Sequence, residues 1–310
     1  MSPTASALEI SRNKATLLEM NIPEEIIEVL PADEVDRLVS AYLQNPDSVE
    51  VSTSTLEVNV LEEMSVFVRN SDEELLEMGY SEAQISRANE IIAMYNNSSD
   101  DELLASGLSE IELNYLRAAL DPDSEILPQG QIPSSKLTLT QTVTDYCSSN
   151  YTNYFINVSF KWDTPYAWDS YEDKVIIAWG GDLAHESVSQ SISYWSKNTL
   201  NTQFANFKEV ANASYAETDV NRMGMYIFPQ GYYQISTATD SRASIARSGN
   251  IRYELYQNGF QNRHSKVLAY YAHQILTLTG SILFTGDTVN PSVTINQGYD
   301  YLHTESKIKY

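Results

Sequence analysis

One cysteine, Cys147, is present in 310 residues, so the chain can form no internal disulfide. Glycine and proline are modest, which excludes a collagen-like or low-complexity chain. No apolar run approaches the roughly 20 residues that a membrane-spanning helix needs. Basic residues are few: 19 Lys and Arg face 42 Asp and Glu. The longest basic grouping, Lys307 to Lys309, is too short to neutralise a row of phosphates, so nucleic acid is not an expected partner. The first residues lack a basic segment followed by an apolar one, so no secretory signal is read there. That fits either a cytoplasmic protein or an exported one whose signal is absent from the chain. The Tyr-, Ser-, Thr- and Asn-rich second half favours an extracellular location.

The acid that is present lies almost all at one end. Residues 1–127 hold 27 acids against 6 bases, a net of -21, and residues 128–310 hold the remaining 15 against 13, a net of -2. A jump of this size divides the chain into an acidic domain, 1–127, and a near-neutral one, 134–310. The Pro- and Asp-rich stretch from Asp121 to Pro133 connects them.

The acidic domain reads as helical-hairpin repeats. Three segments share a Leu-Leu pair, a turn residue and a second apolar face; they begin at Leu17, Leu75 and Leu103. Ser71 with Glu74, and Ser99 with Glu102, have the spacing of capping boxes. Asn21, Gly79 and Gly107 stand where each first helix must end in a left-handed residue. Ile85, Ala88 and Ile92, then Leu113, Leu116 and Leu120, follow the helical period. The turn Met78-Gly79-Tyr80 resembles the Met-Gly-aromatic loop of ubiquitin-associated domains over about ten residues; a generic helix stop gives the same pattern. Residues 45–60 break the helical period and read as a loop or a short strand.

The second domain reads as an antiparallel β-sandwich, so the fold class is α+β, multidomain. Leu137, Leu139 and Val143 alternate with threonines. Tyr154, Ile156, Val158 and Phe160 alternate with Asn157, Ser159 and Lys161. Val188, Ile192 and Tyr194 alternate with Ser187, Ser189, Ser191 and Ser193. Further strands are expected at 173–179, 223–228, 232–238, 251–257, 266–278 and 292–296. Asn258-Gly259 predicts a hairpin. Gly180-Gly181-Asp182 and Ser248-Gly249-Asn250 predict turns. Leu200, Phe204, Phe207 and Val210 predict a helix over 198–212.

Candidate chemistry gathers between Trp162 and Asp173. Trp162, Tyr166, Trp168 and Asp169 are read as ligand-binding, with Tyr270 and Tyr271 second; clustered aromatics beside carboxylates suit a sugar ring or a cation. Core packing of Trp162 and calcium at 169, 172 and 173 are the competing readings, and no EF-hand spacing supports the second. His185, His264, His273 and His303 include no pair with zinc spacing, so no metal or cofactor is expected. His273 shares a strand face with Tyr271 and reads as a hydrogen-bonded core residue. Cys147 has no activating neighbour in sequence. Together with Val175–Trp179 and Tyr270–Gln274, the Trp162–Asp173 stretch resembles a pattern in uncharacterised secreted two-part proteins of Gram-positive bacteria, a helical leader followed by a β domain. The resemblance implies secretion and a β domain over about the last 175 residues.

The leading functional expectation is a non-enzymatic extracellular binding or interaction protein that recognises a glycan or protein surface. Two alternatives stand beside it. One is a secreted toxin or pore former, for which 187–217 is the candidate Ser/Thr-rich amphipathic hairpin. The other is a hydrolase with a site assembled on the β domain, which requires His273 or His185 beside a carboxylate in a cleft.

Overall fold

The computed structural model describes residues 5–58, 60–80, 82–105, 110–121, 135–163, 172–181, 183–198, 201–205, 210–211, 214–217, 223–229, 231–237, 240–259, 263–274, 282–284, 291–295 and 299–309. The chain opens with helices α1 (Ala5–Glu19), α2 (Glu24–Ile27) and α3 (Ala32–Gln44), then a 3-10 turn at Pro46–Ser48 and a ten-residue strand, β1 (Val49–Val58). Helices α4 (Val60–Arg69), α5 (Asp72–Glu77), α6 (Glu82–Asn97), α7 (Asp100–Ala105) and α8 (Glu110–Leu120) follow. Strands fill the rest: β2 (Ser135–Asp145), β3 (Tyr151–Trp162), β4 (Glu172–Trp179), β5 (Ala184–Asn198), β6 (Asn201–Ala205), β7 (Val210–Ala211), β8 (Ser214–Glu217), β9 (Met223–Pro229), β10 (Gly231–Thr237), β11 (Asp240–Asn258), β12 (His264–Gln274), β13 (Ile282–Phe284), β14 (Val293–Ile295) and β15 (Tyr299–Lys309). No helix among the described residues is long and apolar enough to cross a membrane.

The helix signals read in sequence have their geometry. Ser71 and Glu74 form a reciprocal capping box at the start of α5, and Ser99 and Glu102 make the same three bonds at α7. Asn21 and Gly79 have positive φ, 63° and 98°. Gly107 lies outside the described residues. Leu75, Ile85, Ala88, Leu103, Leu113, Leu116 and Leu120 are buried.

Two antiparallel sheets carry the rest of the fold, so the class is α+β. The larger runs β1-β2-β3-β11-β5-β6, with β10 on β11 and β7 on β5; the smaller runs β15-β12-β4-β9-β8. β13 and β14 pair separately. The break in helical period at 45–60 is β1, which lies in the acidic stretch yet pairs with all of β2 from Val58↔Ser135 to Val49↔Thr144. Its Ser/Thr/Val alternation meets the matching alternation of β2. One face of the larger sheet meets the smaller sheet in a common core. Phe160 stacks on Phe228 at 5.4 Å and meets the Tyr271 ring edge-on at 4.8 Å. Buried Gln141 joins the sheets by donating to the Val267 carbonyl (3.3 Å) and accepting from Thr304 (2.9 Å).

Four expectations are corrected. The helix at 198–212 is replaced by β6 and β7, which pair with β5. Its Leu/Phe spacing suits a helix, but Asn198, Asn201, Thr202 and Asn206 are weak helix formers, and β5 offers an open edge. Ser248-Gly249-Asn250 is the interior of β11, not a turn. Glycine is needed there because a Cβ on Gly249 would lie 2.2 Å from the Phe160 ring and 2.7 Å from Ile192. Gly259 has the positive φ expected of a turn, 92°, but β11 and β12 belong to different sheets, so no hairpin forms. β15 was not anticipated, although Leu302, Thr304, Ser306 and Ile308 are buried between exposed neighbours with a period of two.

Candidate functional site

The predicted aromatic site divides. Trp162 ends β3 in the core, 1% exposed, and its indole N–H donates to the Tyr271 hydroxyl at 3.2 Å. Tyr271, fully buried, donates in turn to Asp173, whose other oxygen lies 3.0 Å from His273 Nδ1. Strand periodicity explains the meeting. Trp162 points inward from the larger sheet, while Asp173, Tyr271 and His273 point inward from β4 and β12 of the smaller one. The carboxylate read as a calcium ligand is therefore a core group held by Tyr and His. Tyr166, Trp168 and Asp169 lie outside the described residues.

The histidine–carboxylate contact that a hydrolase requires is present, and it is buried. His273 is 0% exposed and Asp173 is 1% exposed, so no substrate reaches the pair in this conformation. The His185 ring stacks on Tyr253 (5.5 Å) and against Trp179 (4.9 Å). Burial and the Asp145 carboxylate push the Cys147 thiol up to about 11, which leaves little thiolate at neutral pH.

Tyr270 points to the other side of the smaller sheet. It packs with Ile176, Ala178, Leu268 and Val293, and its ring stacks on His303 at 5.3 Å and approaches Tyr301 at 6.2 Å. Tyr301 is 49% exposed, so this edge does present an aromatic face to solvent. Burial raises the Tyr270 hydroxyl above its ordinary value. Sequence reasoning found Tyr270 but missed Tyr301 and His303, which the register of β12 with β15 brings to it: Tyr270↔His303 and Ala272↔Tyr301.

The Ser-rich stretch that begins at Ser187 forms a hairpin. β5 pairs with β6 from Asn198↔Asn201 to Ser196↔Ala205, and then with β7 at Ser193↔Val210 and Ile192↔Ala211. Its other edge pairs with β11 from Arg242↔Asn198 to Tyr256↔Ala184. Lys197 is the one charged residue between Ser187 and Phe207. Ile192 is buried inward beside Gly249, while Ser189, Ser191 and Ser193 stand opposite Arg252, Asn250 and Ser248 on the outer face.

That outer face is polar and yet covered. Thr138, Thr140, Thr142, Thr144, Asn157, Ser159, Ser248 and Asn250 are all buried. Asn250 donates to Asn157 at 2.6 Å and to Ser159 at 2.8 Å. Helices α2 and α3 lie over them. Glu25 accepts from Thr138 at 3.2 Å, Glu28 pairs with Lys161 at 2.7 Å, and Asp33 pairs with Arg252. Arg37 holds the fully buried Glu34, donates to Thr144 at 2.7 Å and stacks over Phe155 at 4.0 Å. Lys161 and Arg252 hold the Glu28 and Asp33 carboxyls below the usual carboxylate range.

No protein-family model matches the sequence, and no curated protein does. Among solved structures the chain is similar to a pore forming protein at 9% identity, covering 56% of this chain and 87% of that one, with a TM-score of 0.27. It is similar to Clostridium perfringens delta-toxin at 9% identity, covering 56% and 85%, with a TM-score of 0.21. It is also similar to the C-terminal domain of the Streptococcus pyogenes antigen I/II-family protein AspA, at 8% identity, covering 68% and 71%, with a TM-score of 0.26. Likenesses of this size carry no weight for function.

Proposed function

We propose that the chain is a secreted pore-forming protein whose β5–β7 hairpin enters the bilayer. In this reading the two sheets are a β-sandwich that carries the hairpin, and the helical-hairpin repeats extend its core. The observation that carries the reading is the hairpin itself: two antiparallel arms in which Lys197 is the one charge between Ser187 and Phe207, Lys208 and Glu209 following just before β7, with alternating Ser and apolar positions in the first arm. A barrel strand needs about 9–11 residues that alternate between a lipid side and a water side. β5 has 15. The backbone of such strands is satisfied in lipid only by closure, so several copies would contribute hairpins to one barrel.

Pinning the hairpin tests this. Ser193 and Ser248 are Cα partners on β5 and β11. The double variant Ser193→Cys/Ser248→Cys joins the strands when oxidised. Cys147 interferes little, because so little of it is thiolate. The oxidised variant should not release dye from liposomes, and dithiothreitol should restore release to the wild-type rate. Equal release in both redox states, or none from wild type on any lipid composition, would sink the reading.

One observation favours a second reading, recognition of a glycan or protein surface without insertion. Tyr301 offers half its surface to solvent beside Tyr270 and His303. An aromatic face of this kind suits a sugar ring. Under this reading Tyr301→Ala abolishes binding on a glycan array and leaves the thermal midpoint unchanged; retained binding ends it.

A further inference from the structure

The acidic segment 5–48 is attached to the sheet by a different kind of contact from the one that holds it together. Leu17, Met20, Ile22, Ile26, Leu38 and Val39 form their own apolar cluster, which reaches the sheet through Val49 and Val51 of β1. It meets β2, β3 and β11 through charged groups: Glu25 with Thr138 and Lys136, Glu28 with Lys161, Asp33 with Arg252, and Arg37 with Thr144 and the Phe155 ring. Arg247 of β11 adds positive field at Glu28. Under these pairs lies the Thr, Ser and Asn face, which regains hydrogen bonds from water if it is uncovered. Each of the pairs Glu28–Lys161 and Asp33–Arg252 keeps its carboxylate more than half exposed, so salt reaches and weakens it. The cover is thus built to come off without opening the core.

Arg252 connects this cover to the hairpin. Its guanidinium pairs with Asp33 of α3, and its Nε donates to Ser189 of β5 at 2.5 Å. By register, Ser189, Ser191 and Ser193 lie on the same face of the sheet as Thr138, Asn157 and Asn250. The helices therefore sit on the side from which β5 is held. We propose that α1–α3 is an autoinhibitory cover, latched by Glu28–Lys161 and Asp33–Arg252, whose displacement frees the β5–β7 hairpin. This rests on the pore-forming reading.

The test uses the full chain with Glu28→Lys, Lys161→Glu and the double swap. Hydrogen exchange in α1–α3 reports the cover, and dye release from liposomes reports the hairpin. Glu28→Lys should raise both rates about ten-fold, the factor that ~1.4 kcal/mol corresponds to. The double swap should return both to wild type, which a merely misfolded single variant would not allow. A protease site placed at Asn45–Ser48 gives an independent opening: cleavage in moderate salt should release segment 5–44 and speed leakage. Faster exchange in Glu28→Lys with unchanged leakage, while wild type or the cleaved chain does leak, overturns the autoinhibition and leaves the pore reading standing. Unchanged exchange overturns the ionic latch. No leakage from any form, cleaved chain included, ends the pore reading and this inference with it.

Discussion

The two acidic helical stretches of this chain have similar composition and are attached in opposite ways. Helices α4–α8 bury Phe67, Leu75, Tyr80, Ile85, Leu103, Leu113 and Leu116 in the same continuous apolar cluster as Leu139, Phe160 and Tyr271 of the two sheets. Helices α1–α3 keep a separate cluster and meet β2, β3 and β11 through carboxylates on Lys and Arg. Apolar burial is short-ranged and is not screened by salt, whereas ion pairs whose carboxylate faces solvent are screened and reversible. The same acid-rich sequence style therefore yields one part fused to the core and one part resting on it. Net charge does not distinguish them; what distinguishes them is where the apolar residues find partners.

The largest expected effect tests that separation directly. Leu75→Ala empties a fully buried position in the shared cluster and should cost about 2–5 kcal/mol, shifting the urea midpoint of the whole molecule. Leu38→Ala empties an equally buried position in α3, and its cost should be of similar size but local. Amides in 17–44 should exchange faster while the main transition stays in place. If Leu38→Ala moves the main midpoint as far as Leu75→Ala does, the cover is part of the core and the comparison fails.

β11 belongs to both situations and gives a smaller effect. Its inner face carries Gly249 beneath Phe160, and its outer face carries Arg252 bonded to Asp33. Gly249→Ala forces the Phe160 ring or Ile192 to move and should cost about 1–3 kcal/mol in global stability. It should leave exchange in α1–α3 unchanged below the main transition. Loosening of the cover first would mean that inner packing, not the ion pairs, sets its hold.

Signals carried by one residue and its near neighbours were legible in the sequence; those that depend on which sheet a strand joins were not. The capping boxes, the left-handed Asn21 and Gly79 and the alternation of β2 and β3 are local, and they stand as read. Trp162 reads in sequence both as a ligand platform, because its neighbours are aromatic and acidic, and as the end of a core strand. The structure buries it at the end of β3, and its partner Tyr271 arrives from the other sheet. Asp173 and His273 meet within the smaller sheet, on adjacent strands a hundred residues apart in sequence. The ion pairs of α2 and α3 depend on β3 and β11 lying side by side, which no local pattern states. The 187–217 stretch reads as a candidate hairpin because alternation and low charge are local signals; the structure pairs β5 with β6 and β7 within it, whereas β8 joins the smaller sheet.

The smallest effect concerns how the helices of the two stretches begin, and it bears on their response to acid. α2 and α3 start after Pro23 and Pro31 with no side-chain cap, whereas α5 and α7 start in capping boxes. The Ser71 and Ser99 backbone N–H groups, and their hydroxyls after them, hold the Glu74 and Glu102 carboxyls below the ordinary value. A depressed folded value stabilises the helix above the unfolded value and loses that support as pH falls through the folded one. Acid should therefore fray α5 and α7 below about pH 4, near the unfolded carboxylate value. The cover loosens in the same direction, since Glu28 and Asp33 are also lowered, but by Lys161 and Arg252. Salt separates the two responses. It screens the ion pairs of the cover and leaves the short carboxylate-to-backbone bonds of the boxes nearly untouched. Carboxyl titration by NMR in high salt should place Glu74 and Glu102 still below an ordinary glutamate and return Glu28 and Asp33 toward their ordinary values. Ser71→Ala and Ser99→Ala should each raise only their own glutamate. If salt relaxes all four groups alike, the boxes are held by the general field of the acidic segment, and the two helical stretches differ less than their contacts indicate.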